Sequence, residues 1–294
     1  MEADKRKQYA HLYEASADTN QTYPEELKEI ENNYTKKNRH RRTIEKVCRR
    51  IAVSFLAMAV VLLLILLHFQ IAEAKEDAVL AYIRQEREQL KNARENVTED
   101  SVAILDEYAI LYSMYPDVVG WIKVEGTPID YPVMQDRNDD DYYLKHNFEG
   151  KEDNKGAPFV SADACIDPLD QNLVIFGHNV SDGSQFGELD RYLDYDFYQQ
   201  HSTIEFDTIY ETGTYQIVAV VKTHVKNDNE SGFRYYWFRE YENRGEFQDL
   251  LDFIEDNKVY DTGEYLSYGD TTIMLSTCEY TVDNGRLVII AKRM

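Results

Sequence analysis

The sequence predicts a mostly β domain, a closed barrel or a sandwich, carried behind a single membrane-spanning helix. After Pro116, short apolar runs rich in Val, Ile, Tyr and Thr alternate with Gly, Asp and Asn, the texture of strands and turns. Residues 51–69 form an unbroken apolar run, and one helical pattern interrupts the strand-like segments late in the chain.

From the N-terminus, residues 1–35 are polar without a sustained apolar period and are expected to form a mobile tail. Residues 51–69, IAVSFLAMAVVLLLILLHF, contain no Asp, Glu, Lys or Arg. As a helix this run spans about 28 Å, close to a bilayer hydrocarbon core of about 30 Å. A buried core helix rarely lacks a polar face. A cleaved signal peptide usually sits nearer the N-terminus with a shorter apolar run, so an uncleaved span is expected. Lys36, Lys37, Arg39, Arg41, Arg42, Lys46, Arg49 and Arg50 precede the run, and the mostly acidic QIAEAKEDAV follows it. Basic flanks stay inside. The expected topology is single-pass in the cell membrane, with residues 1–50 a cytoplasmic tail, 51–69 the span and the rest outside.

Lys and Arg number 32 against 54 Asp and Glu, a formal net charge of -22. Residues 1–69 hold 12 basic and 9 acidic residues, leaving 20 basic and 45 acidic beyond them. Nucleic acid is excluded as the main partner, since phosphate binding needs a basic face. The plain role of the acidity is solubility; repulsion of anionic surfaces, or attraction of a cationic partner, is the sharper one.

Residues 72–96 favour helix by composition, with Val79, Ile83 and Leu90 able to share a face; residues 70–100 are read as a helical stalk. A second helix is expected over 102–114. Strands are expected at VVGWIKV, IDYPVM, NLVIFGHN, STIEFDTIY, TYQIVAVVKTHV, TTIMLSTC and RLVIIAKRM, and a late helix at GEFQDLLDFIEDNK with Phe247, Leu250, Leu251 and Ile254 at helical spacing. Residues 101–294 are read as one extracytoplasmic domain.

Of three cysteines, Cys48 lies at the cytoplasmic edge of the span, and Cys165 and Cys278 lie outside. A disulfide is the plain reading of two external cysteines. Cys278, however, closes a strand-like run, IMLSTC, where a side chain can face a cleft. A nucleophilic cysteine needs its thiolate, and hence a base or a nearby positive charge. A turn through Asp283, Asn284 and Gly285 would bring Arg286 back beside it, where a guanidinium can stabilise a thiolate or an oxyanion. His178 ends another strand, after a Gly177 that allows close approach, and histidine is the natural proton carrier near neutral pH. Alone, each has a bland reading: a rim charge for Arg286, a structural histidine for His178. One Cys and one His are too few ligands for zinc. No metal or cofactor is required. Cys165 is expected to be a free, non-catalytic thiol, with a regulatory disulfide as the alternative.

The L-S-T-C run ending at Cys278, the R-L-V-x-x-A-K run from Arg286 and the Gly177-His178-Asn179 turn resemble the three signatures of the sortases, bacterial cysteine transpeptidases. VVGWIKVEGTPIDYPVMQ, DYYLKHNFEG and the helix around Phe247 resemble class B members, so the resemblance covers roughly residues 100–294. It implies a closed eight-stranded barrel with N-terminal helices and one late helix. By position Cys278 would be the nucleophile, His178 the acid/base and Arg286 the oxyanion stabiliser. Leu144, Ser276, Thr277 and Glu279 would line the substrate groove. The aromatic run over residues 233–238, including Tyr235, would either form a groove wall or pack beneath it. The loop before Tyr142 is one residue longer than the family pattern, so the family's groove Asn has no placed counterpart.

The resemblance implies cleavage of a C-terminal, LPxTG-like sorting motif of secreted proteins after Thr, through a thioester. Transfer would be to a peptidoglycan precursor or cross-bridge amine in a Gram-positive host. Alternatives are a pilin-polymerising enzyme, a cysteine hydrolase without transfer, and, from another class, an inactive membrane-anchored binding domain.

Overall fold

Side chains alternate across a strand, so an apolar run with period two must find cover for one face and a partner for its backbone. In the computed structural model, which describes residues 25–94, 104–227 and 229–294, each of the seven expected runs becomes a strand. They are β1 (Val118–Lys123), β2 (Asp130–Met134), β3 (Asn172–Phe176), β4 (Thr203–Thr208), β5 (Thr214–His224), β6 (Thr272–Cys278) and β7 (Gly285–Arg293). They form one sheet in the order β2-β1-β4-β5-β7-β6-β3. Every pairing is antiparallel except β3 with β6, which run parallel.

All seven strands feed one apolar cluster, from Ile122 and Val133 to Leu275 and Ile289, which requires the sheet to curl around it. The opposite face of β5, β6 and β7 carries a second cluster with Val221, Met274, Val288 and Ile290. The late helix covers it. That helix, Arg244–Asn257, is capped by Asn243, whose side chain accepts from the N–H groups of Gly245 and Glu246, and it buries Phe247, Leu250 and Phe253. Leu251 and Ile254 are only half-buried.

The closed eight-stranded barrel is not formed. Among the described residues, edge strands β2 and β3 do not pair with each other; Phe159 lies between them, with one bridge to Met134 and one to Phe176. Pro158 stands beside it without an N–H to donate, and this segment makes isolated bridges rather than an eighth strand.

Two short helices flank the strands. Asp106–Met114 begins later than its expected start, Val102 lying outside the described residues. Tyr195–Gln200, which the apolar pattern does not announce, precedes β4. The long N-terminal helix runs Glu25–Arg94, and its apolar window has a mean hydropathy of 2.8 with none of it buried. The helix takes in residues 25–35, which were expected to belong to the mobile tail; the rest of that tail and the end of the stalk past 94 lie outside the described residues.

The chain divides into two compact units, the second being Asp77–Met294. Within it, the last turns of the long helix are not free-standing. Leu80, Ile83 and Arg87 are buried, beside Tyr108 and Trp121. Arg87 donates to Tyr108 Oη at 3.2 Å and lies 3.5 Å from Asp207 Oδ2, while Tyr108 donates to that same carboxylate at 2.8 Å. The guanidinium also lies over the Trp121 ring, 4.7 Å from its centre. Burial, then the Asp207 charge, pushes the Tyr108 phenol well above its ordinary range.

Removing one member of a buried ion pair costs about 3–5 kcal/mol, and Lys91 Nζ, 3.3 Å from the same Asp207 oxygen, softens the loss toward about 3 kcal/mol here. Arg87→Ala is therefore expected to lose about that much in urea unfolding, whereas Arg87→Met, which refills the volume, and Tyr108→Phe lose less. Equal unfolding midpoints for Arg87→Ala and wild type would contradict this role.

Candidate active site

Parity builds the site. On β6, Ile273 and Leu275 enter the inner cluster, so Met274, Ser276 and Cys278 point to the other face. On β7, Leu287 and Ile289 point inward, leaving Arg286, Val288 and Ile290 with Cys278. The ladder pairs Cys278 directly with Arg286. Asn284 adopts φ 54°, and a Cβ on Gly285 would come within 2.3 Å of the Glu279 carbonyl; the Asn-Gly sequence is thus what lets the chain reverse here.

Parallel to β6, β3 pairs Phe176 with Ser276, so its continuation carries His178 toward the same end of the sheet. Gly177 is required because a Cβ there would meet the Phe186 ring at 2.6 Å. His178 Nε2 lies 2.8 Å from the Leu144 carbonyl. A carbonyl only accepts, so Nε2 carries the proton and Nδ1 is the basic nitrogen.

An open groove of about 530 Å³ is lined by His178, Cys278, Arg286, Leu144, Ser276, Thr277 and Tyr235. Arg286 Nη1 donates to the carbonyls of Asn284 at 3.3 Å and Gly285 at 2.9 Å, which holds the guanidinium at the groove's edge with other N–H donors still to spend. Tyr235 Oη and Ser276 Oγ are 2.8 Å apart beneath the surface, and Thr277 Oγ1 donates to the Gly177 carbonyl at 2.8 Å. These hydroxyls knit the floor together. Cys165 and Cys278 are both free thiols.

Glu279, expected in the groove, does not line it. Its carboxylate pairs with Lys222 Nζ at 2.9 Å and accepts from Thr281 N–H and Oγ1. Burial pushes this carboxyl up, but the Lys222 and Thr281 bonds outweigh it and hold it below its ordinary value. It braces the turn between β6 and β7.

The aromatic run divides by residue. Phe233 packs against Phe238 and Phe253, Tyr235 is 1% exposed, and Tyr236 and Trp237 line the groove, Trp237 at 68% exposure. A groove wall, and one residue outside the groove, escaped the sequence reading. The wall at Ser161, Ala162 and Asp163 is held by Asp140, which accepts from Ala162 N–H at 2.6 Å, and by Arg239, which donates to Ser161 Oγ at 2.9 Å and pairs with Asp163. Asn179 donates to the Cys278 carbonyl at 2.9 Å; its place next to His178 was the only signal.

Burial pushes the Tyr235 and Tyr215 phenols up to about 12. Folded chains then keep protons that unfolded chains release from about pH 10. This part of the stability is complete below pH 10 and drains as pH climbs to about 12. Tyrosinate absorbance is expected to lag that of the urea-unfolded chain across this window; superimposable titrations would contradict it.

The sortase domain family model matches residues 122–294. Sortase B of Listeria monocytogenes is 35% identical over 191 residues, 64% of this chain and 74% of that protein. Sortase B of Staphylococcus aureus is 32% identical over 188 residues, 63% of this chain and 74% of that protein. A solved Staphylococcus aureus sortase B-substrate complex superposes with a TM-score of 0.65 at 28% identity, covering 76% of this chain and 97% of that one.

Proposed function

The chain belongs to the sortase family of cysteine transpeptidases, and from that premise we propose a membrane-tethered enzyme that joins secreted proteins to a cell-wall amine, with Cys278 as its nucleophile. The observation that carries the reading is the pairing of Cys278 with Arg286 at the groove into which His178 also opens.

In the proposed reaction the Cys278 thiolate attacks the carbonyl carbon after Thr in a C-terminal, LPxTG-like motif. Charge passes to the carbonyl oxygen, and a donor of the Arg286 fork meets it there. His178 Nδ1, which takes the Cys278 proton as the thiolate forms, gives it to the departing amine as the C–N bond breaks, leaving a thioester on Cys278. It then takes a proton from the incoming amine, whose nitrogen forms the new amide as the sulfur leaves as thiolate. Splitting one hard acyl transfer into two easier ones is what a thiol nucleophile supplies. Leu144 contacts substrate, while Tyr235, Ser276 and Thr277 fix the groove floor. That the Staphylococcus aureus relative has been solved as a sortase B-substrate complex supports a substrate for this fold.

Residues 51–69 form the anchor, with the N-terminus cytoplasmic and the catalytic domain outside. The apolar run, none of it buried, supports this, since each Leu or Ile left in water forgoes up to about 1.5–3 kcal/mol of burial. The basic residues before it favour the orientation. The accepting amine is placed in peptidoglycan.

The test is product analysis with the detergent-solubilised chain, a library of sorting-motif peptides and a cross-bridge amine. Amide product that vanishes in Cys278→Ala is expected. Arg286→Lys replaces a fork by a point charge and should lose about 100-fold or more in kcat/KM, as should His178→Ala. Product formed only with water would make the enzyme a hydrolase, and transfer only to a protein lysine would make it a pilin polymerase. Full turnover in Cys278→Ala would overturn the reading.

A further inference from the structure

We propose that Asn179 is a positioning residue that sets the separation of His178 from Cys278; this rests on reading those two as acid/base and nucleophile. The β3–β6 ladder ends at Phe176 and Ser276, so neither His178 nor Cys278 is held to the other by regular pairing. Their neighbours hold them instead. Ahead of His178, Gly177 N–H donates to the Ser276 carbonyl at 3.1 Å and its carbonyl accepts from Thr277 Oγ1 at 2.8 Å. Behind it, Asn179 Nδ2 donates to the Cys278 carbonyl at 2.9 Å and to Asp190 Oδ2 at 3.2 Å. The Asn179 carbonyl accepts from Tyr280 Oη at 3.3 Å.

The chemistry singles out asparagine. Its amide offers two N–H bonds in one plane, one for the nucleophile's own carbonyl and one for a carboxylate. A same-shaped aspartate offers none, and serine offers one. Asp190, on the helical turn Gly187–Leu193, supplies a charged acceptor that fixes the plane of the amide. The strap is thus a chain from Asp190 through Asn179 to Cys278, with His178 one residue away. Neither Asn179 nor Asp190 lines the groove, so the strap acts on the reacting groups through the backbone.

The experiment compares the full chain in detergent with Asn179→Ala, Asn179→Asp, Asp190→Ala and the Asn179→Ala/Asp190→Ala double variant. Three quantities are read: kcat and KM for a sorting-motif peptide, the melting temperature, and the rate of Cys278 alkylation by iodoacetamide relative to Cys165 in the same molecule. A displacement of about 1 Å can cost about 100-fold in rate. Both Asn179 variants should therefore lose about 30- to 100-fold in kcat with KM within about twofold, and Cys278 alkylation should slow several-fold against Cys165. Asp190→Ala should fall between, and the double variant should be no worse than Asn179→Ala, since the two act as one strap. A kcat loss matched by loss of folded protein would overturn the proposal, as would an unchanged Cys278 to Cys165 ratio. If wild type turns over no peptide, the functional reading fails, while the alkylation ratio still decides whether Asn179 places Cys278.

Discussion

The backbone pairing of Cys278 with Arg286 is the constraint on which the site depends. Side chains alternate with period two, so a one-residue slip of β6 against β7 would turn Cys278 toward the inner cluster and bring Thr277 out in its place. That register is held along seven matched pairs, from Thr272 with Lys292 to Cys278 with Arg286. It is enforced on both faces, because Leu275 and Ile289 fill one cluster while Met274 and Ile290 fill another. A mostly apolar pair of strands thus decides where two polar groups emerge.

The groove walls obey a different physics. Residues 161–163, the turn Tyr142–Leu144 and the connection around Tyr236 and Trp237 have no ladder to hold them. Hydrogen bonds and ion pairs do so: Asp140 on Ala162, Arg239 on Ser161 and Asp163, and the Leu144 carbonyl on His178. A rigid sheet end therefore presents the reacting groups, and loops tied by individual polar bonds shape what reaches them. The same division separates two carboxylates that act outside the groove. Glu279, spent on Lys222, braces the turn, and Asp190 orients the amide beside His178.

The strands were legible because each is a short run of Val, Ile, Tyr or Thr bounded by turn residues, and parity along β6 and β7 already set Cys278 and Arg286 side by side. The eighth strand was implied by the resemblance alone: the residues offered seven strand-like runs, and the segment around Phe159 makes only isolated bridges. Arg87 falls within the expected stalk helix, and nothing in its local sequence marks a charged residue there as buried. Its partner Asp207 is 120 residues away, beyond any local pattern. The aromatic run could be split into packing and groove residues only once the helix Arg244–Asn257 fixed which side Phe233 and Tyr235 face. The ion pair of Glu279 was hidden for a related reason, since Lys222 reaches it from β5, which no spacing reveals.

The central claim is that Cys278 carries the acyl group. Its most direct test is intact-mass spectrometry of the chain quenched during turnover of a sorting-motif peptide without amine, followed by peptide mapping. The account predicts an adduct with the mass of the acyl fragment ending in Thr, mapped to Cys278 and released by hydroxylamine as a thioester should be. Turnover with no adduct, or an adduct on Cys165, would contradict it.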